Sequence, residues 1–343
     1  MTHLDPIDIA IVALVGLLLH WVPLWRRHDL WFGVTVPPDF SDTPQAQLVL
    51  RRYRRWVWLL TVAAVACVLA AGALHASVLM AAGPIIQAVG AAAAFAVVRR
   101  SVLPFAARSP AVRSAPLEPT REGLPGGIVS ILVPLAMLAA TALYLHAEWS
   151  EIPARFPAHW NIDGTPDRWA DRSWRAVYGP LLTGGLVISF MFLVAEAIVH
   201  GSPRGRIAGT EAWTARFRRA NLILLVAAVW VVTATICLIS LLPLLTGGRQ
   251  PALIAGLVPL VLTASLAPFF VHLVRLTRDR TSASDGTPDK CWKLGQIYIN
   301  PNDPALVVEK RFGLGYTLNF GNRALWWILM AAVLVFALVI GLR

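Results

Sequence analysis

The sequence predicts an all-α polytopic membrane protein of about eight transmembrane helices, with a small β-rich cytoplasmic module between the last two spans. Three observations predict it. Only 14% of the 343 residues are charged and 57% are hydrophobic, against roughly 25% charged in a soluble globular domain. The apolar residues lie in long blocks. The basic residues gather in alternate segments between those blocks.

The block from Trp56 to Val98 contains no charged side chain. One helix of that length would measure about 65 Å, roughly twice the hydrocarbon thickness. It must fold back, with His75, Ser77, Gly83 and Pro84 marking the turn. Spans are predicted at about 7–25, 56–75, 79–98, 126–146, 176–199, 220–245, 252–274 and 324–342. They are helices because backbone groups in hydrocarbon need internal partners. In chain order this gives three N-terminal helices with a basic cytoplasmic arm (1–125), then a fourth helix plus an outer motif loop (126–175). Helices five to seven (176–275), the β-rich module (276–323) and the last helix (324–343) follow.

Segments 26–55, 99–125, 200–219 and 275–323 carry 6, 5, 5 and 8 lysines and arginines, 24 of the 30 in the chain. Cytoplasmic loops hold such excesses, so both termini are predicted outside the cytoplasm. The runs Arg51-Arg52-Tyr53-Arg54-Arg55 and Arg216-Phe217-Arg218-Arg219 suit anionic headgroups at the bilayer surface. The net charge of +11 is therefore assigned to the lipid bilayer as partner and not to nucleic acid. The N-terminus has no basic n-region and no small-residue cleavage site, so the first span is expected to be retained. Cys67, Cys237 and Cys291 lie in spans or in a cytoplasmic segment and imply no disulfide framework.

Two loops carry further information. The outer loop 148–175 is rich in Trp, Pro and turn formers. Trp149, Trp160, Trp169 and Trp174 suit an interfacial aromatic belt, and Asp163-Gly164 is a tight-turn dipeptide. His159, Asp163 and Asp167 offer imidazole and carboxylate ligands to a metal. Against that reading, Ala170 stands where a calcium loop needs its bidentate acid. Asx turns and Arg–Asp pairs account for the same residues as a structural loop.

The cytoplasmic segment 291–320 offers Gln296–Ile299 and Ala305–Val308 as short strands, with Asn300-Pro301-Asn302-Asp303-Pro304 as the turn between them. Trp292, Phe312 and Phe320 are expected to pack this module against the membrane. Gly313-Leu314-Gly315 allows a bend. It lacks the third glycine and the strand and helix of a dinucleotide fingerprint, and no nucleotide or other cofactor is expected.

The stretch Pro157-x-His159-Trp160-Asn161-x-x-Gly164-x-x-Asp167 resembles the signature of a widespread bacterial membrane-domain family. That family includes the immunity protein of the sporulation-delaying toxin system of bacilli. A basic residue, usually Lys, closes the motif; here it is Arg172. Trp292-Lys293-x-Gly295, Asn300-Pro301-x-Asp303-Pro304 and Lys310-Arg311-x-Gly313-x-Gly315-x-Thr317-x-Asn319-Phe320 resemble a second domain that often follows the first. Phe32-Gly33-Val34-x-Val36-Pro37 is similar to the same proteins. The resemblance implies a receptor or immunity-like protein of the bacterial inner membrane. Pro157, His159, Trp160, Asn161, Gly164, Asp167 and Arg172 would contact an external peptide or toxin. Trp292, Asn300, Asp303, Lys310, Arg311, Gly313, Gly315, Thr317 and Asn319 would contact a cytoplasmic protein partner.

Two other classes compete. A transporter or channel would use His20, Glu196, His200 or His272, with Pro84, Pro134, Pro243, Pro259 and Pro268 breaking helices. Glu196 is expected to snorkel or to pair with Arg204 or Arg206. A metal-dependent enzyme at the outer surface would use His159, but no H-E-x-x-H, G-x-S-x-G or C-x-x-C motif accompanies it.

Overall fold

The computed structural model describes residues 6–26, 29–74, 77–107, 123–160, 166–201, 211–247, 260–278, 287–311 and 314–341. Among them, six stretches are helical, long and apolar enough to cross a membrane: Pro44–Leu74, Ala81–Phe105, Val129–Ala147, Trp174–Gly201, Glu211–Leu245 and Leu260–Thr277. Shorter apolar helical stretches lie at Asp8–Leu24 and Arg323–Leu334. The chain is a multi-pass membrane protein.

The helices are α1 (Pro6–Trp21), α2 (Pro44–Leu74), α3 (Ser77–Val102), α4 (Val129–Ala147), α5 (Trp174–Gly201), α6 (Glu211–Leu245), α7 (Ala267–Arg278) and α8 (Arg323–Gly341). The chain folds back between α2 and α3, at the boundary expected between the spans 56–75 and 79–98, but Gly83 and Pro84 are not part of the turn. Helix α2 ends at Leu74 and α3 begins at Ser77, so Gly83 and Pro84 sit inside α3. A proline in a membrane helix is tolerated where neighbouring groups re-satisfy the freed carbonyl. At its other end α2 reaches back to Pro44, placing the basic run 51–55 on a helix. Its 31 residues span about 46 Å, more than the hydrocarbon needs.

The described chain divides into two compact units. The first comprises residues 1–116, 203–213 and 274–323. In it, α1, α2 and α3 pack through small residues and one polar knot. A Cβ on Gly83 would lie 2.8 Å from the Ala64 carbonyl oxygen, and one on Gly90 would lie 2.4 Å from a Leu60 methyl. This is the close helix approach that membrane interiors favour. Gln87, 2% exposed, donates to the Val12 carbonyl and to the Thr61 hydroxyl, both at 3.0 Å. Thr61 in turn donates to the Val57 carbonyl at 2.8 Å. The Trp58 indole donates to His20 Nδ1 at 3.1 Å.

The same unit holds three antiparallel strand pairs: β1 (Leu30–Trp31) with β2 (Val34–Thr35), β5 (Trp292–Lys293) with β6 (Ile297–Tyr298), and β7 (Val307–Glu309) with β8 (Tyr316–Leu318). The expected pairing of 296–299 with 305–308 is not formed. The first segment pairs with Trp292–Lys293 and the second with Tyr316–Leu318. A parallel bridge between Tyr298 and Asn319 joins the two pairs. The reason lies in the Asn300–Pro304 corner, whose backbone N–H and carbonyl groups are taken by the Asn319 side chain rather than closing a hairpin.

The second unit comprises 117–202, 214–273 and 324–343. Its core gathers Leu138 and Leu145 of α4, Val177, Leu181 and Ile188 of α5, and Val229 and Cys237 of α6. A Cβ on Gly184 would meet an Ile236 methyl at 2.5 Å, so α5 and α6 also approach through a glycine. Glu196 pairs with His200 one turn on, at 3.1 Å; Arg204 and Arg206, its expected partners, lie outside the described residues.

Candidate functional site

The outer motif region is a β-hairpin. Strand β3 (Arg155–Trp160) pairs antiparallel with β4 (Pro166–Asp171), with irregular register around His159. The turn formers of 161–165, including Asn161, Asp163 and Gly164, lie outside the described residues, and Trp160 pairs with Pro166 across them. Burial along β3 does not alternate, because the register shifts after Pro157. Phe156 is buried with Ile152 in the core of the second unit, whereas Arg155, Ala158 and His159 are exposed. The irregular register buries Pro157 as well. It lines a cavity of about 70 Å³ together with Phe156, Pro180, Ser240 and Pro243. That is room for water. The buried Ser240 hydroxyl finds no hydrogen-bond partner among the described residues, and Pro180 and Pro243 have no N–H to return to the carbonyls one turn back.

Arg172 anchors this hairpin. Its guanidinium lies 3.0, 2.9 and 2.8 Å from the carbonyl oxygens of Trp149, Ser150 and Ile152. Its own N–H donates to the Ala154 carbonyl at 2.8 Å. A helix end leaves carbonyls without partners and carries partial negative charge. The short 3-10 turn Trp149–Glu151 that follows α4 is such an end, and Arg172 sets a cation against its carbonyls. The guanidinium also sits 6.0 Å from the Trp149 ring, which stacks on Tyr178 of α5 at 6.0 Å and 12°. The motif's closing basic residue therefore faces the protein, tying hairpin, α4 and α5 together. Of the four tryptophans expected at the boundary, Trp169 and Trp174 are exposed, at 42% and 61%, while Trp149 is half-buried in this stack.

Residues 287–322 of the first unit are built around three buried polar side chains. Asn319, 0% exposed, has its amide nitrogen within 3.0–3.1 Å of the carbonyls of Asn300, Asp303 and Ala305. Its oxygen accepts the N–H groups of Asn300 and Gly321. Asp303 accepts from the Tyr298 hydroxyl at 2.8 Å and from the Ala305 N–H at 3.1 Å. Asn300 donates to the Tyr298 oxygen and accepts from Asn302 N–H, an Asx turn. Gly321 is needed because a Cβ there would lie 2.5 Å from the Asn300 backbone.

Arg311, 2% exposed, forms a second centre. It pairs with Asp289, donates to the Thr287 carbonyl and hydroxyl, and lies 5.1 Å from the Trp292 ring. Trp292 donates to Thr287 at 2.8 Å and stacks near Tyr298. It is buried and does not pack this segment against lipid as expected; Phe312 lies outside the described residues. Lys310 is exposed, Thr317 is half-buried in β8, and Gly315 takes φ +86°. Gly313 lies outside the described residues.

The Phe32–Gly33 stretch meets this centre directly. Phe32 and Gly33 (φ +48° and +71°) and Leu294 and Gly295 (φ +52° and +76°) are two turns of the same left-handed kind. They touch: a Cβ on Gly33 would lie 2.7 Å from the Gly295 carbonyl oxygen. Thr35 donates to Asp289 at 3.0 Å. Arg99, at the end of α3, reaches the carbonyls of Phe32 and Trp292, both at 3.4 Å. Arg26 lies 4.1 Å from the Trp31 ring and donates to the Leu30 carbonyl. Burial pushes its guanidinium down to about 10 against the opposing pull of Asp29 and Asp42. Sequence reading missed Arg99, Thr287 and Asp289. Arg99 is masked by the topological role that any arginine at a span end can fill. The only signal for the other two was the buried arginine needing an anion and a carbonyl.

Among the described residues, no three His, Cys, Asp or Glu side chains gather closely enough to hold a metal ion; Asp163 lies outside them. A domain of unknown function, DUF1648, matches residues 136–184. A family of unknown function, DUF5808, matches residues 301–325. The first covers α4, the hairpin and the start of α5; the second covers the Asn319-centred corner and the Arg311 region. No curated protein and no solved structure matches the chain.

Proposed function

We propose that this membrane protein is a receptor of the immunity-like kind, whose hairpin 155–171 contacts an external peptide or toxin and whose 287–322 segment contacts a cytoplasmic protein. The observation that carries the reading is the hairpin itself. It is fastened by Arg172 to the turn that follows α4 and offers Arg155, His159, Arg168 and Trp169 at exposed strand positions. Arginine and tryptophan on a rigid support are the residue types that dominate protein interfaces. Both outer edges of a two-stranded sheet are also open to strand addition by an extended peptide.

Eight spans, an inner bacterial membrane and both termini outside complete the proposal. The contacts of Thr35 with Asp289 and of Arg99 with Trp292 support it. They bring together segments 26–55, the end of α3 before 99–125, and 275–323, as expected if these share one side of the membrane, and these are three of the four basic segments that the positive-inside rule assigns to the cytoplasm. The Trp213 indole donates to the Leu276 carbonyl at 3.0 Å, adding the fourth, 200–219.

The test is a survival assay in a sensitive bacterium expressing the chain and challenged with the sporulation-delaying toxin peptide. The wild type is expected to protect. His159→Ala and Trp169→Ala should lose protection at least tenfold while keeping their membrane abundance. Survival no better than an empty vector would sink the immunity reading.

A further inference from the structure

We infer that the turn Lys293–Gly295 and the end of helix α3 form a site for the headgroup of an anionic phospholipid. A cavity of about 340 Å³ opens there, lined by Arg99 and Arg100 of α3 and by Lys290 and Lys293 of the following strand region. Its one carboxylate, Asp289, is already paired with Arg311 and accepts from Thr35. Four cations thus face one spoken-for acid. Arg99, 7% exposed, contacts two carbonyls at the long end of hydrogen-bond range. Arg99 is buried and the other three cations are exposed; a cluster of one sign attracts a counter-charge, and the phosphodiester of a lipid supplies it with acceptor oxygens suited to guanidinium.

The apolar rim distinguishes lipid from a free anion. Leu103 and Leu294 line the same cavity and are 44% and 57% exposed. Leu294 is held at φ +52°, a conformation in which a branched non-glycine residue is strained. Its counterpart Phe32 repays the same strain by burial against Tyr53 and Phe95. Leu294 has no such internal packing. Ile297 and Ile299, beside it, are also more than a third exposed. An apolar tip flanked by lysines at the end of a membrane-crossing helix fits the boundary between headgroups and acyl chains.

The test uses full-length protein, delipidated in detergent and titrated with phosphatidylglycerol, phosphatidylcholine or inorganic phosphate while Tm is followed. Phosphatidylglycerol is expected to raise Tm and phosphatidylcholine to leave it unchanged. The double variant Lys290→Gln, Lys293→Gln should shift the phosphatidylglycerol midpoint roughly ten- to thirty-fold, the loss expected of two juxtamembrane cations. Both lysines are exposed, so the lipid-free Tm should stay put. Leu294→Gly relieves the backbone strain and should keep or raise the lipid-free Tm while weakening the lipid response. Equal stabilisation by phosphatidylcholine would overturn the inference. So would inorganic phosphate reproducing the full shift, or an unchanged midpoint in both variants.

Discussion

Arg172 shows how a residue singled out from a sequence pattern can serve a structural purpose. Three carbonyl oxygens lie 2.8–3.0 Å from one guanidinium nitrogen, Nη1, and the guanidinium carbon lies 6.0 Å from the Trp149 ring. Hydrogen bonds to a charged donor contribute about 1.5–3 kcal/mol. Arg172→Ala is therefore expected to cost about 2 kcal/mol, read as a lower Tm of the detergent-solubilised protein. Arg172→Lys should recover part of it, since an ammonium keeps the charge but not the fork. A variant as stable as wild type would show that the clamp contributes nothing. The same lesson holds for Asn300, Asp303, Asn319 and Arg311. Sequence reading singled them out from a family pattern, and the structure turns all four inward. Short polar residues next to prolines and glycines look alike in sequence whether they hold a corner or meet a partner. Burial alone separates the two, and burial depends on distant neighbours.

Helices were legible and strand pairings were not. Apolar blocks and their lengths follow from summed local hydropathy, and six of the predicted spans coincide with helices long and apolar enough to cross a membrane. Gly83 and Pro84 read as part of the fold-back but lie within α3. In α3 the glycine instead admits the Ala64 backbone. This distinguishes two glycines on one helix. At Gly83 an added methyl meets a carbonyl that cannot move; at Gly90 it meets the flexible end of Leu60. Gly83→Ala should cost about 1–3 kcal/mol, the usual range for overpacking, and Gly90→Ala clearly less. Equal melting temperatures would argue that α2 and α3 are not held by this contact. The hairpin 155–171 was read as an irregular loop because its prolines and turn formers read as loop chemistry and its shifted register breaks the alternation that marks a strand. The two C-terminal strand pairs were assigned wrongly because the Asn300–Pro304 corner has the composition of a hairpin turn while its backbone is held by the Asn319 side chain.

For the whole molecule, sidedness is open to a direct check. With Cys67, Cys237 and Cys291 replaced by serine, single cysteines at Asp39, Asn302 and Ser150 can be labelled with an impermeant maleimide in oriented vesicles. Asp39→Cys and Asn302→Cys should label from one face and Ser150→Cys from the other. Labelling of positions 39 and 302 from opposite faces would contradict the packing of the first unit. By itself, the sequence determined that this chain is a multi-pass membrane protein, where its long apolar helices lie, and which segments are basic. Those properties are local sums over neighbouring residues and need no knowledge of distant contacts. Only the tertiary structure decided that Phe32–Gly33, Arg99 and residues 287–311 form one centre, with Arg311 reaching the Gly33 carbonyl across 278 positions. It also decided which polar motif residues are internal braces and which face outward. Both outcomes rest on close packing and on the requirement that a buried charge or amide find a partner, a condition that no stretch of sequence states alone.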